Sequence, residues 1–128
     1  MAVMEVQVLS PERVLFSGEA SEVYARSMEG QIGILPGHEP ALLQLDIAPV
    51  KVKTGGGERV FAVYGGFLEL REDRLVVLAE SAEEPDQIDR RTAESLRTDA
   101  EERLRAAPDD ADAAYDLKRA NLALDLAS

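Results

Sequence analysis

After Glu80 the spacing of apolar residues changes from two to three or four, glycine disappears, and alanine and charge take over. A period of two puts alternate side chains on the two faces of a strand, whereas a period of three to four gathers them on one face of a helix. One chain cannot satisfy both patterns in one kind of element. The sequence therefore predicts a β unit over residues 1–84 and a helical unit over residues 85–128.

The β unit reads as a series of short strands. Met4 to Leu9 alternates, with Val6 and Val8 opposite Glu5 and Gln7, and Ser10-Pro11-Glu12 turns it. Val14 to Phe16 stops at Ser17-Gly18, and Ser21 to Arg26 alternates again through Val23 and Ala25. Gly30 to His38, with three glycines and a proline, fixes its path by backbone preference: glycine reaches positive φ at little cost and proline locks φ near −65°. Its apolar residues Ile32, Ile34 and Leu35 predict a short buried strand that ends in a Pro-Gly turn and presents His38. Ala41 to Leu45 and Val50 to Lys53 follow as two strands, then Glu58 to Tyr64 after the Gly55-Gly56-Gly57 turn. Gly65-Gly66 is read as an interruption before Phe67 to Leu70, and Glu72-Asp73 turns into Arg74 to Ala79. Such spacing predicts an antiparallel β-sandwich or flattened barrel.

In the second unit, Pro85-Asp86 reads as a helix start. Ile88, Ala93, Leu96, Ala100, Leu104 and Ala107 make one apolar stripe, about 30 Å long at 1.5 Å per residue. Pro108-Asp109-Asp110 breaks it, and Ala113, Leu117, Ala120, Leu124 and Ala127 make a second. So short a break predicts an antiparallel α-helical hairpin. Its Ala-rich seam buries little apolar area, which makes the hairpin marginal unless it is docked.

Chemistry is hard to find. Cysteine is absent, which removes disulfides, thiolate nucleophiles and cysteine zinc sites. The single histidine, His38, has no second histidine with which to share a metal. Glu83-Glu84 and Asp109-Asp110 sit at a linker and a helix break, where solvated carboxylates are ordinary filling, and no Gly-x-Ser-x-Gly elbow exists. Three glycines with no following Lys-Ser/Thr do not make a phosphate loop. The formal charge of −11 argues against nucleic acid or an anionic membrane surface as the main partner. Nowhere do roughly 18 apolar residues follow one another, as a spanning helix needs, and Met1 leads straight into a strand pattern without an export signal, so a cytoplasmic setting is expected. By elimination the chain binds other proteins. A stand-alone small-ligand-binding β-sandwich with a regulatory helical hairpin remains the alternative.

Two motifs taken together narrow this. Gly33-Ile34-Leu35-Pro36-Gly37-His38-Glu39-Pro40-Ala41-Leu42-Leu43 and Ala62-Val63-Tyr64-Gly65-Gly66-Phe67-Leu68-Glu69-Leu70, followed by Val77-Leu78-Ala79-Glu80 and an Asp-led helix pair, closely resemble the epsilon subunits of F-type ATP synthases. The resemblance spans essentially the whole chain. It implies a non-catalytic rotor subunit of the central stalk in a proton-translocating complex, with no cofactor and no metal of its own. It implies gamma and the membrane c-ring as partners, the α and β subunits as further partners of the hairpin, and a peripheral place on the cytoplasmic face of a bacterial cell membrane.

Carried over by position, Pro36, Gly37 and His38 resemble the gamma-facing turn, and Glu29, Gly30 and Gln31 the c-ring-facing loop. Some members bind ATP through an Ile/Leu-Asp-x-x-Arg-Ala motif. Ile88, Asp89 and Ala93 are the remnant here, but Thr92 stands where the arginine belongs, Asp99 where another basic residue is expected, and Leu124-Asp125-Leu126 where arginines follow. A triphosphate needs cationic donors, so no useful ATP affinity is expected. The tail stops at Ser128 and is acidic where an inhibitory helix presents basic residues, so deleting residues 81–128 is expected to change ATP hydrolysis only modestly.

Overall fold

The computed structural model describes residues 2–127. Met1 and Ser128, where the expected unit bounds begin and end, lie outside the described residues. The chain divides between Glu84 and Pro85 into two compact units.

The first unit is one eight-stranded sheet curled into a sandwich. Its strands are β1 (Met4–Leu9), β2 (Val14–Ala20), β3 (Glu22–Ser27), β4 (Gly30–Ile34), β5 (Ala41–Thr54), β6 (Gly57–Arg71), β7 (Arg74–Ala79) and β8 (Ala82–Glu83). The order is β2-β1-β7-β6-β5-β3-β4, with β8 on β6. β2 approaches β5, which lies at the far side of β1, β7 and β6 in that order, so the sheet folds back on itself. The enclosed core takes the inward alternate residues of both layers, among them Val6, Val8, Val23, Ile34, Val52, Phe61, Leu68 and Val77. Phe16 meets Phe61 edge to face, with ring centroids 6.3 Å apart.

Several expectations are corrected. Ala41–Thr54 is one strand, because β5 pairs with β6 in a single register from Ala41↔Leu70 to Thr54↔Gly57. β6 likewise runs unbroken through Gly65-Gly66. Those glycines permit a bend instead of a break: Gly65 has φ +83 and Gly66 φ +133, and a Cβ on Gly66 would lie 2.2 Å from the Leu78 carbonyl oxygen. β2 continues past Ser17-Gly18 to Ala20. One pairing, β1 with β7, is parallel, which the lack of a tight turn between these strands allows. β4 is an edge strand with only Ile34 fully buried, and Leu35 is 53% exposed, so the predicted buried strand is mostly a surface one.

β3 and β5 lose register between Tyr24 and Ser27. Arg26 fills the gap: its Nη2 donates to the Ile47 carbonyl at 3.0 Å and its Nε lies 3.5 Å from Asp46 Oδ2. The irregular backbone thereby finds a partner that the ladder does not give it.

The second unit is a pair of helices, α1 (Arg90–Ala106) and α2 (Ala111–Leu126), preceded by a short 3₁₀ turn at Pro85–Gln87. The α-helix starts later than Pro85-Asp86 because Asp89 supplies the cap: its Oδ1 accepts from the Thr92 N–H at 3.2 Å. Asp110 caps α2 through the Ala113 N–H at 3.0 Å. Ala93, Ala100, Ala113 and Ala120 are buried as the stripes predict, whereas Leu122 and Ala123, outside the predicted stripe, are buried too. Arg103 joins the helices by an ion pair to Asp116 and also reaches Asp99 one turn back. No helix among the described residues is long and apolar enough to cross a membrane.

Candidate protein-contact surfaces

The turn after β4 is held from several directions. The His38 N–H donates to the Leu35 carbonyl at 3.1 Å across Pro36-Gly37, and Gly37 has φ +86, the combination a type II turn requires at its third residue. The Gly37 N–H donates to Asp73 Oδ1 at 2.8 Å. Asp73 belongs to the two-residue turn between β6 and β7, where Glu72 and Asp73 both have positive φ, and its carbonyl accepts from the Glu5 N–H at 2.9 Å. One aspartate thus ties three segments together. His38 Nδ1 lies 2.7 Å from the Glu39 carbonyl, an acceptor to which the ring donates when Nδ1 carries a proton.

Beside this turn in sequence lies a surface that the sequence reading missed. On the outward face of β5, β6 and β7, Leu42 is 70% exposed, Phe67 49% and Leu78 52%. Phe67 sits opposite Gln44 on one side and Leu78 on the other, and Leu42 is opposite Glu69, so the three apolar side chains are near neighbours on one face. Their inward neighbours Leu68, Leu70 and Val77 already fill the core. Runs apolar at both parities, such as Gly66-Phe67-Leu68 and Val76-Val77-Leu78, were the available signal: a strand with one wet face does not need them.

Glu29, Gly30 and Gln31 lie at the β3–β4 turn, all exposed. Buried Ser27 organises it, its Oγ–H donating to the Gly30 carbonyl at 3.0 Å while its Oγ accepts from the Glu29 N–H at 3.2 Å. The Met28 N–H donates to the Gln44 carbonyl at 2.9 Å. This turn and the Pro36–His38 turn stand at the two ends of β4, so a five-residue edge strand separates them.

The nucleotide-motif remnant has structural employment. Asp89 is the N-cap of α1, Ile88 and Ala93 are buried, and Arg90 Nη2 donates to the Ala127 carbonyl at 3.3 Å at the end of α2. The shallow hollow along α1 is lined by Arg91, Glu94, Ser95, Thr98, Asp99 and Glu102, three carboxylates against one guanidinium. Such a surface repels a triphosphate.

Elsewhere on the sandwich, the Tyr24 phenol donates to Glu22, and that bond, followed by a small desolvation and the nearby charges of Glu22 and Glu58, raises its pKa above the ordinary value of 10.0.

Comparison with known proteins gives a consistent result. The model of one family, described as the beta-sandwich domain of the ATP synthase Delta/Epsilon chain, matches residues 3–85. The ATP synthase epsilon chain of Brevibacillus brevis is 49% identical over 105 residues, covering 81% of this chain and 80% of that one. That of Bacillus cytotoxicus is 40% identical over 124 residues, covering 97% and 90%. Among solved structures, a chain of the Euglena gracilis mitochondrial ATP synthase, in an assembly of OSCP, F1 and c-ring, superposes with a TM-score of 0.75 at 20% identity, covering 98% of this chain and 78% of that one. At that identity the likeness is one of fold.

Proposed function

The chain belongs to the family of ATP synthase epsilon chains, and from that premise we propose that it is the non-catalytic rotor subunit that joins gamma to the c-ring in the central stalk. It works as part of the F1 complex, peripheral to the membrane; we assign it to the cytoplasmic face of a bacterial cell membrane. The observation that carries the reading is the apolar face of Leu42, Phe67 and Leu78 on an otherwise acidic protein. Exposed apolar patches of this kind mark contact surfaces.

In this reading gamma covers that face and the adjoining Pro36-Gly37-His38 turn, and Glu29, Gly30 and Gln31 meet the polar loops of the ring. A part that transmits torque must hold its contact points at fixed separation. The support is local: Asp73 ties the first turn to the β6–β7 turn and β1, Ser27 ties the second, and β4 spans between them. The division into a sandwich of residues 1–84 and a hairpin of residues 85–128 supports a second role, regulation of hydrolysis by contact of the hairpin with the α and β subunits. That regulation is weak, because the tail is acidic where an inhibitory helix presents basic residues. The employment of Asp89 and Arg90 in helix capping supports a hairpin that does not bind ATP, and titration of ATP into the chain is expected to give no saturable heat below millimolar concentration.

The test of location is crosslinking in the assembled enzyme. His38→Cys is expected to crosslink to gamma, while cysteines at exposed positions toward the other end of β5, such as Lys51→Cys, are not. Crosslinking from Lys51→Cys and none from His38→Cys would reverse the assignment of faces.

A further inference from the structure

Two turns of the sandwich share one hydrogen-bonding pattern and differ in their side chains. In Ser27-Met28-Glu29-Gly30 the Ser27 hydroxyl donates to the Gly30 carbonyl at 3.0 Å and accepts from the Glu29 N–H at 3.2 Å, and Gly30 has φ +129. In Thr54-Gly55-Gly56-Gly57 the Thr54 hydroxyl donates to the Gly57 carbonyl at 3.0 Å and accepts from the Gly56 N–H at 3.2 Å, and Gly57 has φ +129. Ser27 is opposite Leu45 near the start of β5, and Thr54 is its last residue, so the turns lie toward opposite ends of that strand.

The second turn is an internal control for the first. Gly55 and Gly56 make the turn with no side chains, so the backbone does not call for those of Met28 and Glu29. Yet Met28, an apolar residue, stands 59% exposed at the apex. Among the described residues no hydrogen bond fixes its side chain, while the backbone under it is locked by Ser27 and by its own N–H bond to Gln44. A long, adaptable thioether on a rigid support suits an anchor that enters an apolar recess.

On the reading that this turn meets the membrane ring, we propose that Met28 is its anchoring and specificity-determining residue, seating its thioether in an apolar recess between the loops of the ring while Glu29 stays at the hydrated rim. Side-chain adaptability fits a ring, because identical loops repeat around it and the contact must tolerate small differences in register. The turn at Gly55-Gly56, bare of side chains, faces no such demand.

The experiment uses the assembled enzyme in its membrane, with Gln31→Cys in this chain and a cysteine in the polar loop of the ring subunit. The readout is the rate of disulfide crosslinking. Adding Met28→Gln is expected to slow crosslinking about tenfold, as loss of an interface anchor does. Met28→Leu is expected to keep the rate, and Gly55→Met, which has open space around it, to leave it unchanged. If Gln31→Cys crosslinks and Met28→Gln proceeds at the parent rate, or Gly55→Met slows it equally, the anchor role is wrong. No crosslink from Gln31→Cys itself would remove the ring contact and with it this proposal.

Discussion

The two units bury different things. The sandwich encloses branched and aromatic side chains, with Val8, Val23, Ile34, Val52, Phe61, Leu68 and Val77 at no measurable exposure, whereas the helix pair closes mainly over alanines. A buried valine, leucine or phenylalanine is worth roughly 1.5–3 kcal/mol and an alanine methyl only a fraction of that. The helices are also capped by Asp89 and Asp110 and joined by the Arg103–Asp116 pair. The lesson is one of division of labour: the sandwich has the means to be a rigid part, and the hairpin has only a modest internal stability.

The largest effects should come from the sandwich. Phe61→Ala, which empties the meeting point of β6 with Phe16, is expected to cost about 3–5 kcal/mol in denaturant unfolding. Gly66→Ala belongs in the same class because its Cβ has nowhere to go. If either variant melted within a degree or two of the parent, the sandwich would not be the tightly packed unit described.

Next comes separation of the units. Residues 1–84 alone should keep a cooperative melt, while a peptide of residues 85–128 alone should show only partial helix by circular dichroism. A cooperative melt of the isolated hairpin would erase the contrast. Within the hairpin, Asp110→Ala should cost about 1 kcal/mol by loss of the cap, read from the helical signal.

Much of this contrast is legible in the sequence and some is not. The change of period at Glu80 separates strands from helices, and the alanine stripes announce a small seam. Strand lengths were hidden because Gly65-Gly66 and Pro49 look like breakers, although a glycine bend and a proline inside a long strand are compatible with continuous pairing of β5 and β6. The parallel partnership of β1 and β7 is non-local, so no turn residue encodes it. Leu35 reads as core because it is apolar, Leu42, Phe67 and Leu78 fall on strands whose faces the sequence leaves unassigned, and only the register shows that they point outward. The meaning of Met28 emerges only beside its glycine counterpart.

A smaller effect sharpens the picture at the sandwich surface. Since the Glu22 bond raises the folded-state pKa of Tyr24, its contribution is complete below the unfolded value of 10.0 and is lost as pH rises through the folded one. Tyr24→Phe should remove that component of alkaline destabilisation. Ultraviolet titration of the phenolate in the parent checks it; ionisation at or below the ordinary value would contradict the bond.

The most direct measurement of the central claim is co-purification of the tagged full-length chain expressed together with gamma. A stable complex that survives washing is expected, as is its loss in Phe67→Asp, a change at an exposed position that leaves the melting temperature close to the parent. Failure to retain gamma, or retention undiminished in Phe67→Asp, would contradict the assignment of that apolar face.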